Sequence, residues 1–127
     1  MSATQRSITN ARIAAAAADD KLATDVIAFD VSEQIGIADV FLLCTGNTDR
    51  QVKAVVDEVE DRLREVDGRP LRREGEREGR WVLLDYGDLV VHVMAKDDRE
   101  FYALERLWKD CPVVDLTGAV SGAAEQT

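Results

Sequence analysis

Residues 81–94 read WVLLDYGDLVVHVM, two short apolar runs on either side of Gly87-Asp88. A glycine-containing pair between two such runs is typical of a two-residue turn, so we predict a β-hairpin. With Gly87 and Asp88 as the turn, Tyr86 pairs with Leu89, and the register runs back to Trp81 opposite Met94. Side chains alternate along strands, so this register predicts two faces. The apolar face holds Val82, Leu84, Tyr86, Leu89, Val91 and Val93. The mixed face holds Trp81, Leu83, Asp85, Val90, His92 and Met94.

The apolar face of the hairpin predicts a hydrophobic core, and the rest of the chain supplies elements to cover it. Apolar residues at three- and four-residue steps predict helices over 7–23 and 48–66, the second starting at a capping box of Thr48 and Gln51. Apolar runs predict buried strands over 26–31 and 40–45, and Pro70 favours an edge strand over 70–73. We therefore predict a single α/β (α+β) domain over residues 1–116, with a mixed five-stranded sheet and three helices.

The C-terminal part of the chain predicts a third helix that begins near Lys96 and ends at Cys111-Pro112. Its buried stripe is expected to consist of Phe101, Leu104, Leu107 and Trp108, with Tyr102 at the edge of the stripe. Residues 113–116 favour a final extended segment. Residues 117–127 are small and polar and predict a disordered tail.

The charge balance is the most informative bulk property. The chain of 127 residues has 25 acidic against 16 basic side chains and a net charge of −9. Nucleic-acid affinity depends on lysine and arginine contacts with phosphates, so we expect little direct contact with nucleic acid. A basic protein partner fits this surface better, although negative charge that serves solubility alone is the competing interpretation.

Cysteine and histidine content argues against a metal or redox site. The two cysteines, Cys44 and Cys111, form no Cys-x-x-Cys pair and are expected to be neutral thiols. With a single histidine, no zinc site is predicted, and we expect no cofactor. The sequence shows no signal peptide and no run near the ~20 apolar residues that span a bilayer, which predicts a cytoplasmic protein without membrane contact.

Two groups of residues resemble parts of catalytic sites. Residues 45–48, TGNT, resemble an anion-binding corner, but without the lysine and glycines of a phosphate loop a plain capped helix is the stronger interpretation. Asp49, Asp57 and Glu58 follow on a helix, with no Asp-x-Asp on a strand to hold magnesium. His92 and Asp85 share a face but have no evident nucleophile beside them. We predict no catalytic site.

Motifs over most of the chain resemble those of the ribosomal silencing factor family, RsfS, also called the Iojap family. They are Ala38-Asp39-Val40-Phe41, Thr45-Gly46, Arg50-Gln51, Glu74-Gly75, Trp81, Asp85, Gly87-Asp88, Val90-Val91-His92-Val93, Arg99, Tyr102, Leu104-Glu105 and Leu107-Trp108. The resemblance covers about residues 7–116, and residues 47–49 differ from the commonest form of their loop.

The resemblance implies a bacterial factor that binds the large ribosomal subunit through the universal large-subunit protein number fourteen. Such a factor blocks joining of the small subunit and lowers translation when nutrients are scarce. The resemblance also implies a nucleotidyltransferase-like topology without the active site, a homodimer in isolation, and a role in late large-subunit assembly.

Joined to the residue analysis, the resemblance predicts a partner-binding set of Trp81, Leu83, Asp85 and Tyr102. Tryptophan and tyrosine are enriched at interaction hot spots, and Asp85 is expected to pair with a basic side chain of the partner. His92, Arg99 and Glu105 are further candidates, either as contacts or as braces of this surface. A nucleotidyltransferase-like enzyme and a self-associating assembly factor are the alternative hypotheses.

Overall fold

The elements follow the predicted order along the chain: a helix, two strands, a second helix, three strands and a third helix. The computed structural model describes the backbone of residues 3–102 and 104–121, and the side chains of these residues except 100–102 and 104. The elements are α1 (Gln5–Asp20), β1 (Thr24–Asp30), β2 (Val40–Gly46), α2 (Asp49–Asp67), β3 (Arg72–Glu74), β4 (Trp81–Asp85), β5 (Leu89–Ala95) and α3 (Lys96–Tyr102), followed by a 3₁₀ turn at Leu104–Arg106.

The strands form one five-stranded mixed sheet in the order β1-β2-β5-β4-β3. Only β2 and β5 run parallel, with Val40 opposite Leu89, and the other neighbours are antiparallel. The predicted hairpin register is confirmed: Trp81 lies opposite Met94, and Asp85 lies opposite Val90. The mixed five-stranded sheet and the three helices are therefore as the sequence predicts.

The start of α2 shows how local side chains fix a helix. The Thr48 hydroxyl accepts a hydrogen bond from the Gln51 backbone N–H at 3.1 Å, and the side-chain Oε1 of Gln51 accepts one from the Asn47 N–H at 2.6 Å. Two N–H groups that have no partner within the helix are thereby satisfied. The predicted cap is confirmed, although the Gln51 side chain reaches Asn47 rather than Thr48 itself. The helix ends at Asp67 and is capped by Gly68, whose φ is +77°.

Both α1 and α2 pack on the sheet face that carries the apolar side of the hairpin. Val82, Leu84, Leu89, Val91 and Val93 all lie in this core. Helix α1 contributes a stripe of fully buried alanines, Ala11, Ala14, Ala15, Ala17 and Ala18. Because alanine is small, the helix backbone can lie close to its neighbours. Helix α1 ends at Asp20, earlier than predicted, since Leu22 has φ +65° and leaves the helical conformation.

A second, smaller cluster covers the opposite face of the sheet. Phe29, Val31, Ala38, Leu43, Val90 and Cys111 are its buried members, and Phe41, Leu83 and Trp108 pack against it. Alternate residues of β2 face one cluster or the other, which explains why this strand is a nearly continuous apolar run. Both cysteines are free and buried, as expected of neutral thiols.

The predicted third helix is wrong beyond Tyr102. Helix α3 stops there, and a 3₁₀ turn at Leu104–Arg106 leads into further turns. Because the path of the backbone changes, helical spacing no longer selects the buried side chains. Leu107, predicted to be buried, is 68% exposed, whereas Trp108 is half-buried against Phe41. The side chains of Phe101 and Leu104 lie outside the described residues.

Extended backbone follows at 113–114, as predicted, along the free side of β1. The Asp30 N–H donates to the Pro112 carbonyl and the Val114 N–H to the Ala28 carbonyl, each at 2.8 Å. Among the described residues, no helix combines the length and the apolar character needed to cross a membrane.

Residues 117–121, predicted to belong to a disordered tail, lie against α1 instead. Arg12 donates to the Thr117 carbonyl at 2.6 Å, the Ser121 hydroxyl donates to Asp19 at 3.0 Å, and Val120 is buried. Val120 is the apolar side chain that this small and polar stretch places in the core beside the alanines of α1. The rest of the predicted tail, residues 122–127, lies outside the described residues.

Candidate functional site

The mixed face of the hairpin is divided between a covered half and an accessible half. On β5, Val90, His92 and Met94 are buried, because the second cluster and α3 lie over that strand. On β4, Trp81, Leu83 and Asp85 are only half-buried. We call these three residues the β4 patch. Of the predicted site residues on this face, the three of the β4 patch are therefore accessible, whereas His92 is buried on the neighbouring strand.

Trp81 and His92 are joined across the two strands. The Trp81 indole N–H donates to His92 Nδ1 at 3.2 Å, and the ring centres are 6.1 Å apart. Burial lowers the pKa of His92 to about 4, and the positive charge of Arg99 acts in the same direction. The imidazole is therefore neutral in the neutral pH range, and its Nδ1 accepts the hydrogen bond from the indole N–H.

Asp85 is engaged within the chain. One carboxylate oxygen accepts the Gly87 N–H at 2.8 Å, which fixes the hairpin turn, and the other pairs with Arg72 at 3.4 Å. Arg72 lies directly opposite Asp85 on the edge strand β3. Arg72 is absent from the predicted set, because the register of β3 cannot be read from the sequence. The pairing gives Asp85 a structural role in addition to the predicted partner contact.

Arg99 and Glu105 brace the segment that covers β5. Arg99 is 7% exposed, and its Nε donates to Glu105 Oε2 at 2.6 Å while Nη1 donates to the Thr45 hydroxyl at 2.9 Å. These bonds tie α3 to the end of β2 and to the 3₁₀ turn. Such geometry suits the bracing role rather than direct contact by Arg99. The side chain of Tyr102 lies outside the described residues, so its place in the set stays a prediction.

The residues compared above with catalytic sites make structural hydrogen bonds within the described part of the chain. The Thr45 hydroxyl is taken by Arg99, and Thr48 and Gln51 satisfy the N–H groups at the start of α2. Asp85 and His92 bond to different partners. Among residues 3–102 and 104–121, no three histidine, cysteine or acidic side chains converge where a metal ion would be held.

A cavity of about 340 Å³ lies between α2 and the loop that joins β3 to β4. Four carboxylates line it, from Asp49, Asp57, Glu76 and Glu78, against two basic side chains, Lys53 and Arg77. Lys53 is already paired with Asp57 at 3.1 Å. An acid-rich lining repels phosphate groups, so this cavity gives no support to a nucleotide-binding enzyme.

The family is decided by comparison with known proteins. The family described as "Ribosomal silencing factor during starvation" matches residues 4–127. A Bacillus subtilis protein named "Ribosomal silencing factor RsfS" is 50% identical over 105 residues, which cover 83% of this chain and 89% of the relative. This chain belongs to the ribosomal silencing factor family. The resemblance seen in the motifs of residues 38–108 is thus confirmed. A chloroplastic Iojap protein of Zea mays is also similar, with 28% identity over 102 residues.

Solved structures of similar proteins support the same fold. A crystal structure from Chromobacterium violaceum has a TM-score of 0.76 at 36% identity, over 80% of this chain and 84% of that one. A crystal structure from Bacillus halodurans has a TM-score of 0.71 at 42% identity, over 82% and 94% of the two chains. The mixed α+β domain is therefore shared with ribosomal silencing factor relatives.

The buried histidine of this family member predicts a distinctive loss of stability in weak acid. His92 is the only histidine, and burial lowers its pKa in the folded protein from 6.5 to about 4. Between these values the unfolded chain binds the extra proton, so stability falls as the pH falls. We expect the free energy of unfolding to drop by about 2 kcal/mol between pH 7 and pH 5.

Urea unfolding at the two pH values measures this drop. His92→Asn is the matched control, because asparagine is polar but does not titrate in this range. An equal drop in the asparagine variant would show that carboxylates rather than His92 cause the pH dependence.

Proposed function

We propose that this protein binds the large ribosomal subunit through the universal large-subunit protein number fourteen and thereby blocks joining of the small subunit. By this action it represses translation under nutrient limitation, in the bacterial cytoplasm. Membership of the ribosomal silencing factor family supports the proposal. The structural observation that carries it is the β4 patch, in which Trp81 and Leu83 lie half-exposed side by side on one face of the sheet.

The β4 patch has the composition of an interaction hot spot. Trp81 supplies a large amphipathic ring, Leu83 supplies apolar area, and Asp85 supplies negative charge beside Arg72. Hot spots typically combine a buried aromatic anchor with a polar rim that excludes water. The net charge of −9 favours approach to a basic protein surface.

Steric exclusion needs no chemical step. A protein that occupies the intersubunit face lowers joining as soon as its concentration exceeds its dissociation constant and the competing subunit cannot displace it. An interface of ordinary size, about 800 Å² on each side, is sufficient for such binding. We therefore assign the chain no catalytic residues. Arg99, Glu105 and His92 support the β4 patch, and Tyr102 is proposed to extend it.

The proposal is tested by sedimentation through sucrose with purified ribosomal subunits. The protein is expected to sediment with large subunits, and the fraction of joined ribosomes is expected to fall as its concentration rises. Leu22→Ala provides a control, because Leu22 is 76% exposed and precedes β1, away from the β4 patch. If the protein sediments with large subunits but the fraction of joined ribosomes does not fall, the protein binds the ribosome without silencing it, and the silencing mechanism is rejected.

A second copy of the chain is the alternative occupant of the β4 patch. A half-exposed apolar patch suits self-association as well as ribosome binding, and we expect the isolated protein to be a homodimer. Leu83→Arg tests this better than a substitution of Asp85, because Asp85 also fixes the hairpin turn. Light scattering is expected to give a dimer mass for the wild type and a monomer mass for the variant. If monomeric Leu83→Arg still binds large subunits normally, the β4 patch serves the homodimer alone.

A further inference from the structure

The hydrogen bond between Trp81 and His92 fixes which nitrogen of the imidazole carries the proton. An indole nitrogen can only donate, so His92 Nδ1, at 3.2 Å from it, must be the unprotonated acceptor. The proton of the neutral ring then sits on Nε2, which is buried and has no hydrogen-bond partner among the side chains that the structure describes. Within that part of the chain the tautomer leaves a buried donor unsatisfied, which typically costs about 1–3 kcal/mol.

We propose that His92 is a positioning residue for the β4 patch, which holds the half-exposed indole of Trp81 in the orientation that receives the partner. This inference rests on the proposed function, because it concerns the same surface. His92 is only 5% exposed, so a partner on the surface meets Trp81 and not the imidazole. Of the two predicted roles of His92, contact or brace, the proposal takes the brace, exerted through Trp81.

The imidazole is itself held by a row of aromatic rings. The Phe41 ring centre is 5.0 Å from that of His92, and Trp108 meets Phe41 edge-on at 5.3 Å. The row therefore runs from Trp108, in the turns after α3, through Phe41 on β2 and His92 on β5, to Trp81 on β4. A side chain that is ordered before binding loses less conformational entropy when the complex forms. The row supplies that order to a residue that is otherwise half-exposed.

Two substitutions of His92 separate positioning from packing. Asparagine places a side-chain oxygen near the position of Nδ1 and keeps an acceptor for the indole, whereas leucine fills a similar volume without an acceptor. In protein labelled with ¹⁵N-tryptophan, His92→Leu is expected to shift the Trp81 indole N–H resonance. The Trp108 resonance, assigned with Trp108→Phe, is the internal reference. Binding to large subunits is expected to weaken about tenfold in His92→Leu. His92→Asn is expected to restore both the resonance and the binding.

Wild-type binding by His92→Leu, with a shifted Trp81 resonance, would overturn the proposal. Equal loss of binding in both variants, with the Trp81 resonance unchanged, would also overturn it, since packing alone would then explain the loss. If the leucine variant is unfolded, His92→Gln replaces it, because its amide reaches the Nε2 rather than the Nδ1 position. If the wild type itself does not bind large subunits, the proposed function fails, while the resonances still decide whether His92 holds the indole.

Discussion

Replacing Trp81 by alanine is expected to lower the affinity for large ribosomal subunits by about thirtyfold or more, with the fold retained. The expectation follows from the position of Trp81, half-exposed on β4 and fixed by His92 from behind. Truncating a central aromatic anchor removes its contact area and leaves the pocket of the partner empty, an effect that typically exceeds 2 kcal/mol. Under the proposed function, the variant then loses most of the specific attraction for the large subunit.

Titration of large subunits in a sedimentation assay measures the loss, and circular dichroism reports the fold. The backbone pairing of Trp81 with Met94 does not depend on the indole, so the sheet should persist. Leu22→Ala serves again as the control for removing an exposed apolar side chain, and it should bind like the wild type. Cooperative unfolding of Trp81→Ala at ordinary temperature would show that Trp81 belongs to the core and would remove it from the interface.

The sheet could be predicted from the sequence because its signals are local. In the hairpin, the period of two and the Gly87-Asp88 turn leave one register that keeps the apolar side chains together. Capping of α2 likewise depends on residues within one helical turn. The length of the third helix was predicted wrongly for the opposite reason. The course of the chain after Tyr102 depends on contacts with residues far away in sequence, such as the packing of Trp108 against Phe41 on β2.

The candidate site was predicted in part. Trp81, Leu83 and Asp85 follow from the alternation of side chains on β4, and the structure keeps all three accessible. The burial of His92 could not be predicted, because the ring that packs against it belongs to Phe41 on another strand. The partner of Asp85 was also missed, since Arg72 meets it only through the pairing of β3 with β4. Packing between residues distant in sequence therefore decides which strand of the hairpin keeps its side chains accessible on the mixed face.

Replacing Gly75 by alanine is expected to destabilise the protein by about 3 kcal/mol and to weaken ribosome binding as well. Gly75 follows β3 with φ +82°, a conformation that costs alanine about 1–2 kcal/mol. A Cβ at this position would also overlap the backbone carbonyl oxygen of Trp81, which cannot rotate away as a side chain would. The loop between β3 and β4 must therefore move, and Trp81, the proposed partner contact, moves with it.

Gly79 provides a matched control in the same loop. Its φ is +69°, but a Cβ there would meet nothing within 4 Å, so Gly79→Ala carries the conformational cost without the overlap. We expect Gly79→Ala to lose about 1 kcal/mol in urea unfolding and to bind large subunits normally. The difference between the two variants isolates the close approach of Gly75 to Trp81. Equal losses of stability in both would mean that only the backbone conformation matters. Normal binding by Gly75→Ala would show that the position of the Trp81 backbone is not critical for the β4 patch.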